Sequence, residues 1–130
     1  MLPSKDRGGR DLRESPRFSM KLPCSVLSEH GKSSAIILDL SVGGAFLGTD
    51  DAPPLEETVT LSFKGQGRGK IIAFSLKAIV IHSGRYLQGF DNFNGFGVRF
   101  KNIPPRVAAE LREILAEGKI SATSKFVIIT

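Results

Sequence analysis

Residues 18–48 read FSMKLPCSVLSEHGKSSAIILDLSVGGAFLG, and this stretch decides the fold. Apolar and polar side chains alternate over its first nine residues, which is the pattern of a strand with one buried face. A turn over 29–32 then leads to a more fully buried strand over 35–38. A tight loop over 39–44 separates that strand from a short apolar piece at 45–47. Strands this close together in sequence, joined by tight turns, predict an antiparallel sheet.

Further strands follow downstream of this stretch. We expect them over 58–63, 71–81 and 88–100, with a hairpin connection over 64–70, a turn over 84–87 and interruptions at 91–92 and 94–95.

A helical period begins only near the end of the sequence. Val107, Leu111 and Leu115 repeat at i, i+4 and i+8, and Pro104-Pro105 suit a first helical turn because its N–H groups need no partner. Gly118 is a plausible residue just past the helix end. The chain is therefore predicted to be mainly β, a small six-stranded antiparallel β-barrel with a C-terminal α-helix. Closure removes exposed strand edges, and the helix covers an open end or side.

Composition limits the possible functions. The 130 residues contain 41% hydrophobic and 24% charged residues, as expected of one globular domain. A net charge of +5 favours anionic partners but does not choose among nucleic acid, nucleotide and membrane. One cysteine and two distant histidines exclude an internal disulfide and give no metal-ligand spacing, so no metal site is expected. With neither a signal peptide nor an apolar run of roughly 20 residues, we expect a cytoplasmic location and no membrane insertion.

Two short patterns carry candidate chemistry. Residues 1–12 form a predicted flexible arm, followed by Arg13 and Arg17 four positions apart. Residues 1–21 hold six basic and three acidic side chains, so most of the charge excess lies here. The second pattern is Asp39-x-Ser41-x-x-Gly44, in the loop between the second strand and the short apolar piece.

Together these patterns resemble the PilZ domain family of bacterial cyclic di-GMP receptors. The family carries R-x-x-x-R before its first strand, [DN]-x-S-x-x-G after its second, and a last strand ending like Gly97-Val98-Arg99-Phe100. The resemblance covers roughly residues 13–117. It implies one domain over 13–118, made of a six-stranded barrel and a helix after the last strand, and leaves 119–130 as a tail. It also implies that the ligand-binding residues are Arg13, Arg17, Asp39, Ser41 and Gly44.

The chemistry of cyclic di-GMP explains these residue types. An arginine fork matches guanine O6 and N7, binds phosphate, or stacks on a purine. Asp39 can accept from the guanine N1–H and N2 donors that an arginine cannot satisfy. Ser41 can bond a base or phosphate, and Gly44 permits close approach of the backbone. Leu12 stands directly before Arg13, where a third arginine could engage a second, stacked ligand. Its presence favours one ligand per chain, although Arg10 or Arg7 could compensate.

Each feature also has a purely structural explanation. The arginines could form a solvated arm, Asp39 could cap a turn, and Gly43-Gly44 could serve a positive φ.

The predicted function is that of a receptor which binds cyclic di-GMP and changes its surface for a downstream effector protein. We expect no enzymatic activity and no cofactor. We slightly favour a monomer.

Three other function classes are compatible with a small basic barrel. A ligand-independent scaffold, docking a partner through the helix or the apolar residues 126–129, is the main alternative. A nucleic-acid polymer is disfavoured because most phenylalanines fall on inward positions. An enzyme is disfavoured because no nucleophile–base pair is evident.

Overall fold

The computed structural model describes residues 17–67 and 69–116. It contains six strands, β1 (Phe18–Ser28), β2 (Gly31–Leu40), β3 (Gly44–Gly48), β4 (Thr58–Gly67), β5 (Lys70–Gln88) and β6 (Asp91–Phe100), followed by helix α1 over 105–116. The predicted arm over 1–12, Arg13, Gly118 and the tail over 119–130 lie outside the described residues. No helix in the described ranges has the length and hydropathy to cross a membrane.

The strands close into an antiparallel barrel in the order β1-β2-β3-β6-β5-β4. The predicted architecture, a mainly β six-stranded antiparallel barrel followed by a helix, is confirmed. Alternation along each strand sends one set of side chains inward, as on β1, where Met20, Leu22, Cys24 and Val26 are buried. Leu111, Ile114 and Leu115 of α1 join the same core. The helix therefore buries its apolar stripe against the barrel interior.

Strand β5 departs from the sequence prediction. The turn expected over 84–87 is wrong, because β5 continues for 19 residues and turns only at Gly89, whose φ is 63°. The breaks expected at 91–92 and 94–95 are also wrong, since β6 pairs continuously with this half of β5 from Gly84–Gly95 to Gln88–Asp91. The hairpin connection is shorter than 64–70, since β4 extends to Gly67. Cross-strand pairing overrides the turn signal of these polar residues and glycines.

The second half of β5 and the first half of β6 form an extension, residues 82–96, which β3 joins only at the base, where Gly48 pairs with Gly95 and Leu47 with Phe96. It begins where β5 has passed its last β4 partner, Ile79 opposite Thr58. The tip of this extension is exposed, with Leu87 at 70% and Phe90 at 105% of full accessibility. Phe90 therefore does not follow the inward placement that the sequence suggested for most phenylalanines.

Gln88 fastens the extension to the start of the barrel. The nitrogen of its side-chain amide lies 3.2 Å from Ser19 Oγ, 3.0 Å from the Met20 carbonyl and 3.1 Å from the Leu38 carbonyl, and its two N–H groups are shared among these three acceptors. The β1–β2 register shifts between Ser19 and Leu22, and such an irregularity leaves carbonyls without ladder partners. One glutamine thus supplies donors where the ladder is interrupted.

Candidate functional site

Asp39 is the centre of the candidate site. It lies at the end of β2, and only 6% of its surface is exposed. The Arg17 guanidinium Nε lies 3.4 Å from Oδ1, and the Tyr86 hydroxyl donates to Oδ2 at 3.3 Å. A buried carboxylate needs such partners to remain charged. Asp39 is therefore held between a cation from the chain start and a phenol from the β5–β6 extension.

Tyr86 links the carboxylate to an aromatic group. Its ring stacks on Phe46 with centroids 5.0 Å apart and planes at 23°, and His82 lies against the same Phe46 at 6.1 Å. Phe46 points away from the barrel core, between the inward-facing residues 45 and 47, yet is buried beneath these rings. Burial chiefly raises the pKa of Tyr86, and the Asp39 charge raises it further. The phenol therefore stays protonated and able to donate.

The Ser41 hydroxyl is used to build the loop. Ser41 Oγ accepts from the backbone N–H groups of Gly43 at 3.1 Å and Gly44 at 3.2 Å, and donates to the Gly44 carbonyl at 3.3 Å. The Ser41 backbone N–H donates to that same carbonyl at 2.9 Å. Serine side chains commonly replace backbone partners in tight turns. This buried hydroxyl fixes the path of residues 41–44 beneath the carboxylate.

Gly44 is required by the neighbouring strand. A Cβ at Gly44 would lie 2.2 Å from the Val98 carbonyl oxygen, whereas a Cβ at Gly43 would meet only Ser41 Oγ, at 3.9 Å. Neither glycine has a positive φ, so the structural alternative of a left-handed conformation is wrong. The close approach of β6 explains the glycine at position 44 before any ligand is considered.

The structure brings four of the five predicted site residues into one region. Arg17 and Asp39 are in direct contact, while Ser41 and Gly44 form the adjoining loop. Arg13 lies outside the described residues. Arg17 keeps 49% of its side-chain surface exposed, in contrast to 9% for Asp39. The arginine is therefore the accessible member of the pair.

Sequence reasoning missed Tyr86, Phe46 and Arg99. Tyr86 is 47 positions from its partner Asp39 and was assigned to a turn. Arg99 is exposed and pairs with Gly44 across β3 and β6, which adds a cation at the base of the loop. Tyr86 is the only tyrosine in the chain, and that is the one sequence signal that singles it out.

One group of potential metal ligands occurs among the described residues. Glu29, His30 and Glu57 place one ligand atom each within 4.8 Å of one another. The Glu57 carboxylate accepts from the Glu29 backbone N–H at 3.2 Å and lies 3.6 Å from His30 Nε2. The group sits at the β1–β2 turn, at the opposite end of β2 from Asp39. These contacts fasten the turn to the start of β4 and leave the candidate site separate.

The family model described as "PilZ domain" matches residues 11–117. The chain belongs to the PilZ domain family. Comparison with curated proteins gave no match.

Solved structures show the same fold at low sequence identity. The crystal structure of Escherichia coli YcgR in complex with c-di-GMP is 18% identical, with a TM-score of 0.65, and the match covers 91% of this chain and 50% of that chain. The YcgR PilZ domain with c-di-GMP is 19% identical, with a TM-score of 0.59 and coverage of 84% and 93%. The Bacillus subtilis inhibitor of motility MotI/DgrA is 14% identical, with a TM-score of 0.62 and coverage of 77% and 47%. This PilZ chain thus spans about half the length of two of these proteins.

Proposed function

We propose that this PilZ chain is a receptor that binds cyclic di-GMP on the outer face around Asp39. The observation that carries the proposal is the Arg17–Asp39 contact, a half-exposed guanidinium against a buried carboxylate at the two motif positions. Two of the structural relatives were solved with c-di-GMP, as their descriptions state. The proposed ligand residues are Arg13, Arg17, Asp39, Ser41 and Gly44.

The Arg17–Asp39 pair supports a competent site because a ligand can take the place of each partner. Arg17 is 49% exposed and its Nε lies 3.4 Å from Oδ1, whereas Asp39 is buried, so the carboxylate needs a new partner when the pair opens. Guanine can replace both partners, since its N1–H and N2 donors suit Asp39 while O6 and N7 suit Arg17. Each half of the broken pair then regains a charge-assisted contact.

The surrounding groups prepare the carboxylate for this exchange. Tyr86 holds Oδ2 through its hydroxyl, which leaves Oδ1 as the oxygen facing Arg17. Arg99 beside the loop adds positive charge where a dianionic ligand would lie. Arg13, in the segment preceding Arg17, is proposed to bind the second guanine or a phosphate. Residues 1–12 are proposed as a flexible arm and 119–130 as a tail beyond the 13–118 domain.

Signalling would follow from the surface that ligand and arginine segment make together. We propose that a downstream effector protein reads this surface, that the chain performs no catalysis and uses no cofactor, and that it works in the cytoplasm as a monomer. Ordering a segment on binding typically takes 2–5 kcal/mol from the gross interaction energy, so several charge-assisted contacts are needed. A micromolar dissociation constant, about −8 kcal/mol, is consistent with that balance.

Isothermal titration with cyclic di-GMP tests the proposal directly. The full chain, Arg17→Ala, Asp39→Asn and Arg112→Ala are titrated under the same buffer and salt. Arg112 is an exposed helix residue, so its loss removes the same charge away from the site. We expect Arg17→Ala and Asp39→Asn each to weaken binding by roughly tenfold or more, and Arg112→Ala to bind as the wild type does.

Two outcomes would overturn the receptor proposal. The first is no heat from the wild-type chain. The second is equal binding by all four proteins, which would mean that charge alone attracts the ligand. Binding to single-stranded oligonucleotides with a steep salt dependence, without cyclic di-GMP binding, would instead indicate a polymer.

The alternative of a ligand-independent scaffold is supported by a different observation. Leu87 and Phe90 expose large apolar surfaces at the tip of the β5–β6 extension, where they could bind a partner protein. A partner retained by Arg17→Ala and lost by a Leu87→Ser, Phe90→Ser variant would favour this function.

A further inference from the structure

The turn between β1 and β2 carries two potential metal ligands side by side. Ser28 pairs with Gly31 across the two strands, so Glu29 and His30 are the central residues of a tight turn. Ser28 Oγ accepts from the His30 backbone N–H at 3.1 Å, which holds the turn in shape. Both central residues are exposed. The turn therefore presents a carboxylate and an imidazole to solvent from a defined backbone.

Glu57, directly before β4, brings a second carboxylate to this turn. Its Oε2 accepts from the Glu29 backbone N–H at 3.2 Å. Its own backbone is fixed separately, since its carbonyl accepts from the Val80 N–H at 3.0 Å and its N–H donates to the Pro54 carbonyl at 3.3 Å. The Glu57 side chain is 7% exposed, in contrast to 67% for His30. A buried carboxylate on a fixed backbone thus faces an exposed imidazole.

The second oxygen of Glu57 is placed to bind a cation. Within the described ranges, the group that faces Glu57 Oε1 is His30 Nε2 at 3.6 Å, a separation longer than a hydrogen bond. A charged carboxylate with little exposure needs a close partner, and a neutral imidazole supplies no charge. The Glu29 carboxylate adds a second negative charge, because ligand atoms of the three residues lie within 4.8 Å of one another. A divalent cation between the three side chains would neutralise both carboxylates.

The spacing of these groups fits a zinc-type ion. Such an ion about 2.1 Å from both His30 Nε2 and Glu57 Oε1 would span their 3.6 Å separation at an angle of about 120°, close to tetrahedral. Because Glu29 is exposed, rotation about its side-chain bonds can bring its carboxylate to the third position. Water can take the fourth position. An imidazole with carboxylates suits Zn²⁺ and neighbouring transition metals, whereas Mg²⁺ and Ca²⁺ prefer sets of oxygen ligands.

We propose that Glu29, His30 and Glu57 bind one divalent transition-metal ion, with Zn²⁺ as the best match. The ion is structural, because it joins the β1–β2 turn to the residue before β4, and it makes no contact with a ligand at Asp39. The inference does not depend on the proposed receptor function, since the turn is at the opposite end of β2 from Asp39. Ligand spacing in the sequence does not predict this site, because Glu57 is 28 positions from Glu29.

Calorimetric titration with zinc chloride tests the site. The full chain without a polyhistidine tag is stripped of metal with EDTA, dialysed and titrated alongside Glu57→Gln, His30→Gln and Glu56→Gln. The Glu56→Gln control makes the same chemical change one residue away, at an exposed residue outside the ligand group. We expect the wild type and this control to bind one Zn²⁺ per chain with equal affinity. Loss of a group behind a metal ligand typically costs about 10–100-fold, so Glu57→Gln and His30→Gln should each weaken binding by at least about tenfold.

Three outcomes of this titration would overturn the proposal. The first is no saturable binding by the wild type at sub-millimolar Zn²⁺. The second is equal affinity in all four proteins, which would place the ion elsewhere, for example at His82 or Cys24, the only other histidine and the only cysteine of the chain. The third is displacement of the bound Zn²⁺ by equimolar Mg²⁺, which would indicate a site made of oxygen ligands alone.

Thermal melting separates a lost ligand from a lost fold. With free Zn²⁺ about a hundredfold above its dissociation constant, the melting temperature of the wild type and of Glu56→Gln should rise by about 10 °C relative to EDTA. The melting temperatures of Glu57→Gln and His30→Gln should change by less than about 2 °C. His30 is an exposed turn residue, so His30→Gln keeps the test valid if Glu57→Gln fails to fold. An equal rise in His30→Gln and the wild type would refute the site.

Discussion

Replacement of Gly44 by alanine should destabilise the barrel in the absence of any ligand. The added Cβ would lie 2.2 Å from the Val98 carbonyl oxygen, and ordinary contact begins at 3.4 Å. Strands β3 and β6 must therefore separate locally by roughly 1 Å, the difference between these distances. The hydrogen bond from the Phe100 N–H to the Gly43 carbonyl, now 2.9 Å long, would be stretched as these strands separate.

The magnitude follows from these two effects. Forced overpacking costs about 1–3 kcal/mol, and a weakened hydrogen bond adds about 0.5–1.5 kcal/mol. We expect Gly44→Ala to lose about 2–4 kcal/mol of unfolding free energy. For a domain of this size the melting temperature should then fall by roughly 10–20 °C.

Gly43→Ala is the matched control. The two glycines are adjacent, neither has a positive φ, and a Cβ at Gly43 would meet only Ser41 Oγ at 3.9 Å. Its effect should stay within about 1 kcal/mol of the wild type, in either direction. Thermal and urea unfolding followed by circular dichroism measure both variants without ligand. Melting temperatures within about 2 °C of each other would refute the packing explanation of Gly44.

Three further predictions concern individual side chains. Asp39→Asn should lower the pKa of Tyr86 toward its ordinary value, because part of the upward shift comes from the Asp39 charge. Ultraviolet titration of the phenol measures this pKa. An unchanged value would contradict the contact between Tyr86 and Asp39. Burial raises the pKa of Cys24 from 9.0 to about 12, so its contribution to stability is present below pH 9 and is lost as pH rises from 9 toward 12. Cys24→Ala should therefore show a shallower fall in unfolding free energy over that window, and parallel curves would contradict the assignment. Gln88→Ala removes the two N–H donors that serve Ser19 Oγ and the Met20 and Leu38 carbonyls, and should cost about 1–3 kcal/mol while accelerating hydrogen exchange across residues 82–96. Unchanged exchange there would show that the extension is held by other contacts.

Local sequence patterns predicted most of the strands and the helix. Alternation over residues 18–26 and the i, i+4 repeat of Val107, Leu111 and Leu115 predicted elements that the structure contains, because each element is set by its own apolar face. The length of β5 could not be predicted in this way. Gly84 resembles a turn residue locally, yet it faces Gly95 in the ladder, and that pairing involves residues that are distant in sequence.

The candidate site was predictable only where its residues form a motif. Arg17 and Asp39 were both predicted as ligand residues from their motifs, and the structure places them in contact. Tyr86 was missed because its place beside Asp39 depends on the β5–β6 extension crossing the outer face. The use of the Ser41 hydroxyl within its own loop also depends on three-dimensional contacts, since the same serine at the same spacing could have faced solvent.

The tip of the β5–β6 extension offers a practical route to a biosensor. Exposed turns tolerate inserted sequence, and Gly89 and Phe90 are remote from the barrel core. A fluorescent protein inserted between them would be only three residues from Tyr86, which touches the carboxylate of the site. Gln88, just before the insertion point, would keep its contacts with the Met20 and Leu38 carbonyls. The extension would therefore stay attached to the barrel while the fluorescent protein responds to movement at Asp39.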